Sequence, residues 1–406
     1  MRKVWCLAPD QWDHLRPIET EMDAEAEFIY DPACDPARML EGRPDIVLCV
    51  NEFRLAVADC LYAARRAGIP SLLVQDGILE WRCQYENPLF GAGGGPPQHQ
   101  PVLCDRIACI GQQSARVIRS WGNAEKVEVV GMPRLDHLLR RPKVDRCLPG
   151  RRVLVATSKN PGFTPEQREI TRRSLVDVAS ELNALPDVQV TWRVSPSMAR
   201  ELGVSNSLAE FSSYDFASTL EHSDALITTP STSMLEAMLL DRPVAALDYH
   251  NVPRFVPTVW SITSREQIRP ALTDMLRCPE NKMQYQGCLL ADCLACDGPA
   301  APRVADLIRR MITAARHASW NGADTNSDTT NEEHKRQRQP ANTLPLSSLY
   351  PDQAIFQIHD LNVLYAHVLR LQKENKRLKQ DLTARSLTNG LYKVGRLLSA
   401  RLSGHS

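Results

Sequence analysis

Residues Asp224–Tyr249 read DALITTPSTSMLEAMLLDRPVAALDY. Ala225–Thr229 is a short apolar, β-prone run, and Pro230 stops it. Ser231, Thr232 and Ser233 follow, each able to cap a helix by accepting bonds from its free backbone N–H groups. Met234–Leu240 is apolar on every face except for Glu236. Arg242-Pro243 ends that helix, and Val244–Leu247 reads as the next strand. Strand, hydroxyl-rich turn, short buried helix and strand make a βαβ unit of a parallel sheet.

Such a unit points to an anion. A helix N-terminus carries free N–H donors and a partial positive charge. Three adjacent hydroxyls add donors without adding charge, a combination that suits a diphosphate. A lone carboxylate in an apolar helix is costly unless something satisfies it. A ribose diol would satisfy Glu236 by donating two hydrogen bonds. The alternative is a capped core helix whose glutamate pairs with an arginine elsewhere.

The run Ser231–Val244 (STSMLEAMLLDRPV) resembles the donor-binding segment of GT-B glycosyltransferases, in particular the group of CDP-glycerol glycerophosphotransferases and UDP-N-acetylglucosamine 2-epimerases. The resemblance implies two Rossmann-like α/β domains facing a cleft. It also implies a phosphate role for Ser231, Thr232 and Ser233, with Thr229 just before them, and a ribose role for Glu236.

The chain has 406 residues, enough for two or three domains, and 43% of them are hydrophobic, enough for sizeable cores. Lys+Arg and Asp+Glu both number 48, which argues against a nucleic-acid binder. No apolar run approaches the length that spans a bilayer. The start, MRKVWCLAPDQWD, has no apolar core of a secretory signal, so a cytoplasmic location is expected. The twelve cysteines lie mostly inside apolar runs and read as small core residues of a reducing compartment. Cys288, Cys293 and Cys296 are spaced C-x4-C-x2-C, a ferredoxin-type spacing, but a fourth ligand is not evident and the run also reads as a helix. No metal and no cofactor are expected. The nucleotide-activated donor is a substrate.

In chain order, Lys3–Ala8, Phe28–Tyr30, Asp45–Val50 and Ser71–Gln75 read as strands, with a helix over Leu55–Ala67. No glycine-rich turn follows the first strand, so a dinucleotide fingerprint is absent. The fourth strand ends at Asp76-Gly77. Ligands of open α/β sheets gather at the carboxyl ends of strands, so Asp76 is a candidate general base and Gly77 lies beside it. The alternative is a plain Asp-Gly turn. The similar transferases carry His-Gly here, a departure. Glu80–Pro101 is aromatic and glycine-rich without periodicity and reads as an acceptor-side flap, with His99 as a weaker acid–base candidate.

Further strands are expected at Arg106–Gly111 and Val127–Val130, followed by GMPRLD. That turn resembles one that faces the cleft in GT-B enzymes, which implies cleft positions for Gly131, Arg134 and Asp136. Val153–Thr157 opens a second α/β domain, and Lys159 after it suits a donor phosphate. Val188–Val194 is its next strand and places Arg193 as a second phosphate candidate, since guanidinium matches phosphate bidentately. Ser195 stands where the similar transferases have histidine. Asp297–Met311 resembles the last helix of those families, which packs back on the first domain.

From about His317 the composition turns polar and aperiodic, as a linker does. Over 352–384 a heptad places Leu361, Val368, Asn375 and Leu382 at a, and Leu364, Leu371 and Leu378 at d. One asparagine at a with leucine at d favours a parallel two-stranded coil. Lys393, Arg396 and Arg401 make the tail a basic amphipathic stretch suited to an anionic membrane surface. The expected domains are therefore 1–146 on the acceptor side, 147–318 on the donor side, a linker at 319–350, a coiled coil at 351–385 and a tail at 386–406. The expected function is transfer of a sugar or polyol phosphate from a nucleotide-sugar or CDP-polyol donor to a glycan or lipid-linked acceptor. The expected partners are a second copy through 352–385 and, through 386–402, the inner membrane face, with no nucleic acid. The alternatives are a UDP-sugar 2-epimerase and a non-catalytic scaffold.

Overall fold

The computed structural model describes residues 1–8, 14–88, 97–141, 151–158, 162–204 and 216–321, with no side chains for 318–321. The chain divides into two compact units, Met1–Leu346 and Ser347–Ser406, and every described residue belongs to the first. The expected coiled coil and tail, Lys159, and all but three positions of the expected linker lie outside the described residues.

The first half runs β1 (Arg2–Leu7), α1 (Arg16–Met22), β2 (Ala26–Tyr30), α2 (Pro36–Gly42), β3 (Ile46–Cys49), α3 (Leu55–Arg66), β4 (Ser71–Val74), β5 (Arg106–Cys109), α4 (Gln112–Ile118), β6 (Val127–Val129) and α5 (Asp136–Leu139). The second runs β7 (Arg152–Ala156), α6 (Pro165–Asn183), β8 (Gln189–Arg193), α7 (Pro196–Leu202), α8 (Phe216–Glu221), β9 (Ala225–Thr228), α9 (Ser233–Leu239), β10 (Val244–Leu247), β11 (Trp260–Ile262), α10 (Ile268–Arg277), α11 (Glu280–Cys293) and α12 (Ala300–Asn321).

Strands β1–β6 form one sheet in the order β2-β1-β3-β4-β5-β6, and β7–β11 form another in the order β11-β10-β9-β7-β8. Every pairing is parallel. Strands β3, β4, β9 and β10 are buried along their whole length, the pattern of a sheet covered by helices on both faces. Both sheets wind the same way. The first strand has the second on one side and the third on the other, so each sheet has a switch point, β1/β3 and β7/β9, where winding reverses and ligands of such sheets bind.

Among the described residues of the flap expected over Glu80–Pro101, Arg82–Glu86 forms a wide helical turn. Glu80 holds its start by accepting a bond from the Cys83 N–H at 2.7 Å. Helix α12 belongs by sequence to the second half but packs on the first sheet. Its Val304, Leu307, Ile308 and Met311 share a core with Val4, Cys6, Ile18 and Met22.

The GMPRLD turn anchors this crossing. Both carboxylate oxygens of Asp136 accept from the first backbone N–H groups of α12, Ala300 at 2.7 Å and Ala301 at 2.8 Å. Gly131 has φ +94°, and a Cβ there would lie 2.6 Å from the Ala295 carbonyl oxygen. Only glycine fits both that backbone and that approach.

Candidate active site

The hydroxyl turn forms at the second sheet's switch point. β9 delivers Thr228, whose Oγ1 lies 3.4 Å from Ser231 Oγ and 3.1 Å from Ser233 Oγ, and the two serine oxygens are 2.5 Å apart. From the end of β7, the Ser158 N–H donates to Thr229 Oγ1 at 2.9 Å. The three hydroxyls after Pro230 were expected to cap α9. Instead Thr232 is the N-cap and makes no side-chain capping bond. The serines bond to each other and to Thr228, and Thr232 turns to the other sheet.

Thr232 and Glu236 both reach the first half of the molecule. The Ile78 N–H donates to Thr232 Oγ1 at 3.3 Å. Gly77 lies so close that a Cβ on it would stand 2.8 Å from the same oxygen. Arg134 Nη1 donates to Glu236 Oε1 at 3.2 Å, across 102 residues of sequence. The arginine partner in the alternative reading of Glu236 therefore exists, and it comes from the GMPRLD turn. Burial raises the Glu236 pKa, and the charges of Arg134, Arg193 and His137 oppose that rise. Arg193 stacks over the Phe216 ring, 4.2 Å from its centre.

Asp76 follows β4 on the facing side. Burial raises its pKa, opposed by His99 and Arg134. A carboxyl held above its usual range by desolvation is a common setting for a general base. Arg134 is thus the cation shared by the candidate base and the candidate ribose ligand. Asp76, Gly77, Arg134, Arg193, Thr229, Ser231, Thr232, Ser233 and Glu236 converge on the facing strand ends. Gly131 and Asp136 lie at the base of α12.

The strand ends also carry two acids that sequence reasoning missed. Glu52 follows β3 and is buried. Its Oε2 accepts from the Leu103 and Cys104 N–H groups at 2.9 and 3.2 Å. Its Oε1 stands 3.5 Å from Nδ1 of His99, and neither of these two atoms makes a hydrogen bond. Asp248 follows β10, buried, and neither of its carboxylate oxygens is hydrogen-bonded. Asp248 could have been found by asking which acids directly follow continuous apolar runs, whereas Asn51 separates Glu52 from the run that ends at Val50. Cys288 is exposed, Cys293 buried and Cys296 half-buried, and among the described residues no group of three or more His, Cys, Asp and Glu could hold a metal ion. Also among them, no helix is long and apolar enough to cross a membrane.

Two facing parallel sheets with a final helix returning to the first define the GT-B class of fold. Solved structures of that class match it. MnaA of S. aureus, solved with UDP, superposes with a TM-score of 0.54 at 14% identity, covering 77% of this chain and 97% of that one. The UDP-GlcNAc 2-epimerase of Methanocaldococcus jannaschii gives 0.51 at 13%, covering 76% and 100%. A variant of the wall teichoic acid polymerase TagF gives 0.51 at 13%, covering 78% and 90%. No protein-family model and no curated protein sequence matches the chain.

Proposed function

We propose that the protein is a glycosyltransferase or polyol-phosphate transferase that uses a nucleotide-activated donor. The observation that carries this reading is the pairing of an uncharged hydroxyl cluster, Thr228, Ser231 and Ser233, with a partly buried acid, Asp76, on the opposite sheet. The cluster lies at the switch point where ligands of such sheets bind. Fold neighbours solved with UDP and with CDPG make uridine and cytidine nucleotides the first to test.

In this reading Ser231, Thr232 and Ser233 donate to the donor diphosphate, and Thr229 shapes the turn. Glu236 accepts from the ribose hydroxyls, with Arg134 holding its carboxylate in place. Arg193 and Lys159 neutralise the phosphates. Asp76 takes the proton of the acceptor hydroxyl. The acceptor oxygen forms its new bond as the bond to the leaving nucleotide phosphate breaks. In-line attack from across the cleft inverts the reacting centre. Hydroxyl and cationic donors aimed at the leaving group supply the charge stabilisation that a metal would otherwise give.

Calorimetric titration with UDP, UMP, CDP and CMP tests the donor side. One nucleoside diphosphate is expected to bind at least tenfold more tightly than its monophosphate, and Ser231→Ala/Ser233→Ala is expected to erase that preference. Equal binding of mono- and diphosphate by the wild type would refute the phosphate role of the turn.

A further inference from the structure

Two polar atoms at the ligand-facing end of the first sheet are buried without a hydrogen-bond partner, and they face each other. Glu52 Oε1 and His99 Nδ1 stand 3.5 Å apart. The other carboxylate oxygen of Glu52 is fixed by the Leu103 and Cys104 N–H groups. Lys126, a cation whose charge couples to Glu52, gives its Nζ to the Val102 carbonyl at 2.5 Å. A buried polar atom without a partner is costly, so a small closing of the gap that pairs these two is favoured. A carboxylate oxygen only accepts, so the hydrogen of that bond sits on Nδ1. Nε2 of the neutral ring is then a bare acceptor pointing away from Glu52.

The histidine is gripped from several directions. Its carbonyl accepts from Asn123 Nδ2 at 2.8 Å, and Asn123 Oδ1 takes the Val102 N–H at 3.0 Å. On either side of it, Gln98 Oε1 accepts from Gln84 Nε2 at 3.3 Å, and Gln100 Nε2 donates to the Tyr85 hydroxyl at 3.2 Å. His99 itself has φ +60°, a conformation that residues with a Cβ rarely adopt. Strain held in place by surrounding contacts gathers at functional sites.

The candidate base emerges beside this pair. Strands β3 and β4 run in register, Cys49 against Leu73, and three residues further along each chain stand Glu52 and Asp76. Neighbouring strands lie about 4.8 Å apart, so the two acids enter the site from adjacent segments. Burial raises the Asp76 pKa, and the charges of His99 and Arg134 oppose that rise, so the ring is near enough for its charge to act there. An imidazole oriented through one nitrogen by a carboxylate, and free to take a proton at the other, is a recurrent acid–base device.

We propose that Glu52 and His99 form a proton relay behind Asp76, with Glu52 positioning the ring and His99 Nε2 receiving the proton that Asp76 takes from the acceptor. The proposal deepens the transferase reading and rests on it for the source of the proton. The acceptor O–H bond breaks and its proton binds Asp76. Asp76 passes it to Nε2 and returns to carboxylate for the next turnover. The imidazolium keeps its Nδ1–H on Glu52, whose negative charge balances it, and releases the Nε2 proton to water.

Ring-¹⁵N-histidine labelling of the full chain tests this without a substrate. Long-range ¹H–¹⁵N correlation, at a pH where the ring is neutral, reads which nitrogen carries the hydrogen. The signal missing from His99→Gln identifies His99 among the ten histidines. The wild type is expected to show the Nδ1–H tautomer. Glu52→Gln is expected to invert it. The two backbone N–H groups keep the amide oxygen, the amide NH₂ turns to Nδ1, and the ring hydrogen moves to Nε2. Asp76→Asn is expected to shift the Nε2 resonance with Nδ1–H in place. An Nε2–H tautomer in the wild type would overturn the proposal, as would a tautomer that survives Glu52→Gln. An Nε2 resonance indifferent to Asp76→Asn would also overturn it, reducing the pair to a clasp for the flap. The wild-type tautomer and the Asp76→Asn response decide the matter if Glu52→Gln does not fold. Nucleotide titrations on the same preparations separate the two readings. The relay signature without nucleotide binding removes the donor site alone, and nucleotide binding without the signature removes the relay alone.

Discussion

The two sheets wind identically, yet their ligand-facing ends are lined with different chemistry. The second sheet ends in neutral hydroxyls, with Thr228, Ser231 and Ser233 joined into one network at β9 and Thr229 Oγ1 held by the Ser158 N–H. The first ends in two carboxyl side chains, Glu52 and Asp76, with His99 Nδ1 3.5 Å from Glu52. Hydroxyls can hold an anion without a compensating charge, and they work the same at every physiological pH. Buried carboxyls can move a proton, and their charge is expensive to maintain. In the proposed reading, the same backbone plan separates holding a charged donor from activating a neutral acceptor.

Substitutions on the two sides should behave oppositely. Asp76→Asn carries the largest expected effect, a loss of turnover of about 10²- to 10⁴-fold, the usual weight of a general base. The same change is expected to stabilise the fold at neutral pH. The folded-state pKa of Asp76 is raised, so its contribution to stability is fullest below the unfolded carboxyl value and is lost as pH rises through the folded one. The gain in melting midpoint should be present at pH 7 and absent near pH 3. A midpoint shift that does not depend on pH would break the assignment of Asp76 as a strained acid. By the same sign, turnover in the wild type should rise with pH as Asp76 deprotonates, with its midpoint above that of a free carboxyl.

Ser231→Ala on the hydroxyl side should weaken diphosphate binding with no pH dependence between pH 5 and pH 8. A pH-dependent loss would mean that the turn relies on a titrating neighbour. Asp136→Ala should cost about 1–2 kcal/mol of stability in chemical denaturation, the weight of a helix N-cap, because it frees the Ala300 and Ala301 N–H groups at the start of α12. Nucleotide affinity should change little, since Asp136 lies at that helix rather than among the hydroxyls. Gly77→Ala should be the mildest. Its Cβ would crowd Thr232 Oγ1, the end of a side chain that can rotate, at the expense of the bond from the Ile78 N–H. A modest fall in nucleotide affinity without loss of fold would show that the close approach of the two halves serves the site.

Much of this architecture was legible in the sequence. Strands β3, β4, β9 and β10 are continuous apolar runs because both of their faces are covered, and that pattern needs no partner to be recognised. The strand–turn–helix–strand reading of Asp224–Tyr249 matches β9, α9 and β10. Edge strand β11 escaped because three residues carry too little pattern. The roles of Arg134 and Asp136 escaped for another reason. Adjacent in one turn, they act on Glu236 and on α12, more than a hundred residues away, and local spacing carries no trace of such contacts. Glu52 escaped because burial of a single carboxylate shows only once the surrounding segments are in place.

The most direct test is a thermal-shift series with UDP, CDP and GDP on the wild type and on Glu236→Ala. A ligand that binds only the folded state stabilises it by about 2.7 kcal/mol at one hundred times its dissociation constant. The expected result is a raised midpoint with one nucleotide in the wild type and its loss in Glu236→Ala, with the unliganded variant still folded. No shift with any of the three, or an equal shift in wild type and variant, would contradict a donor site built on the hydroxyl turn and Glu236.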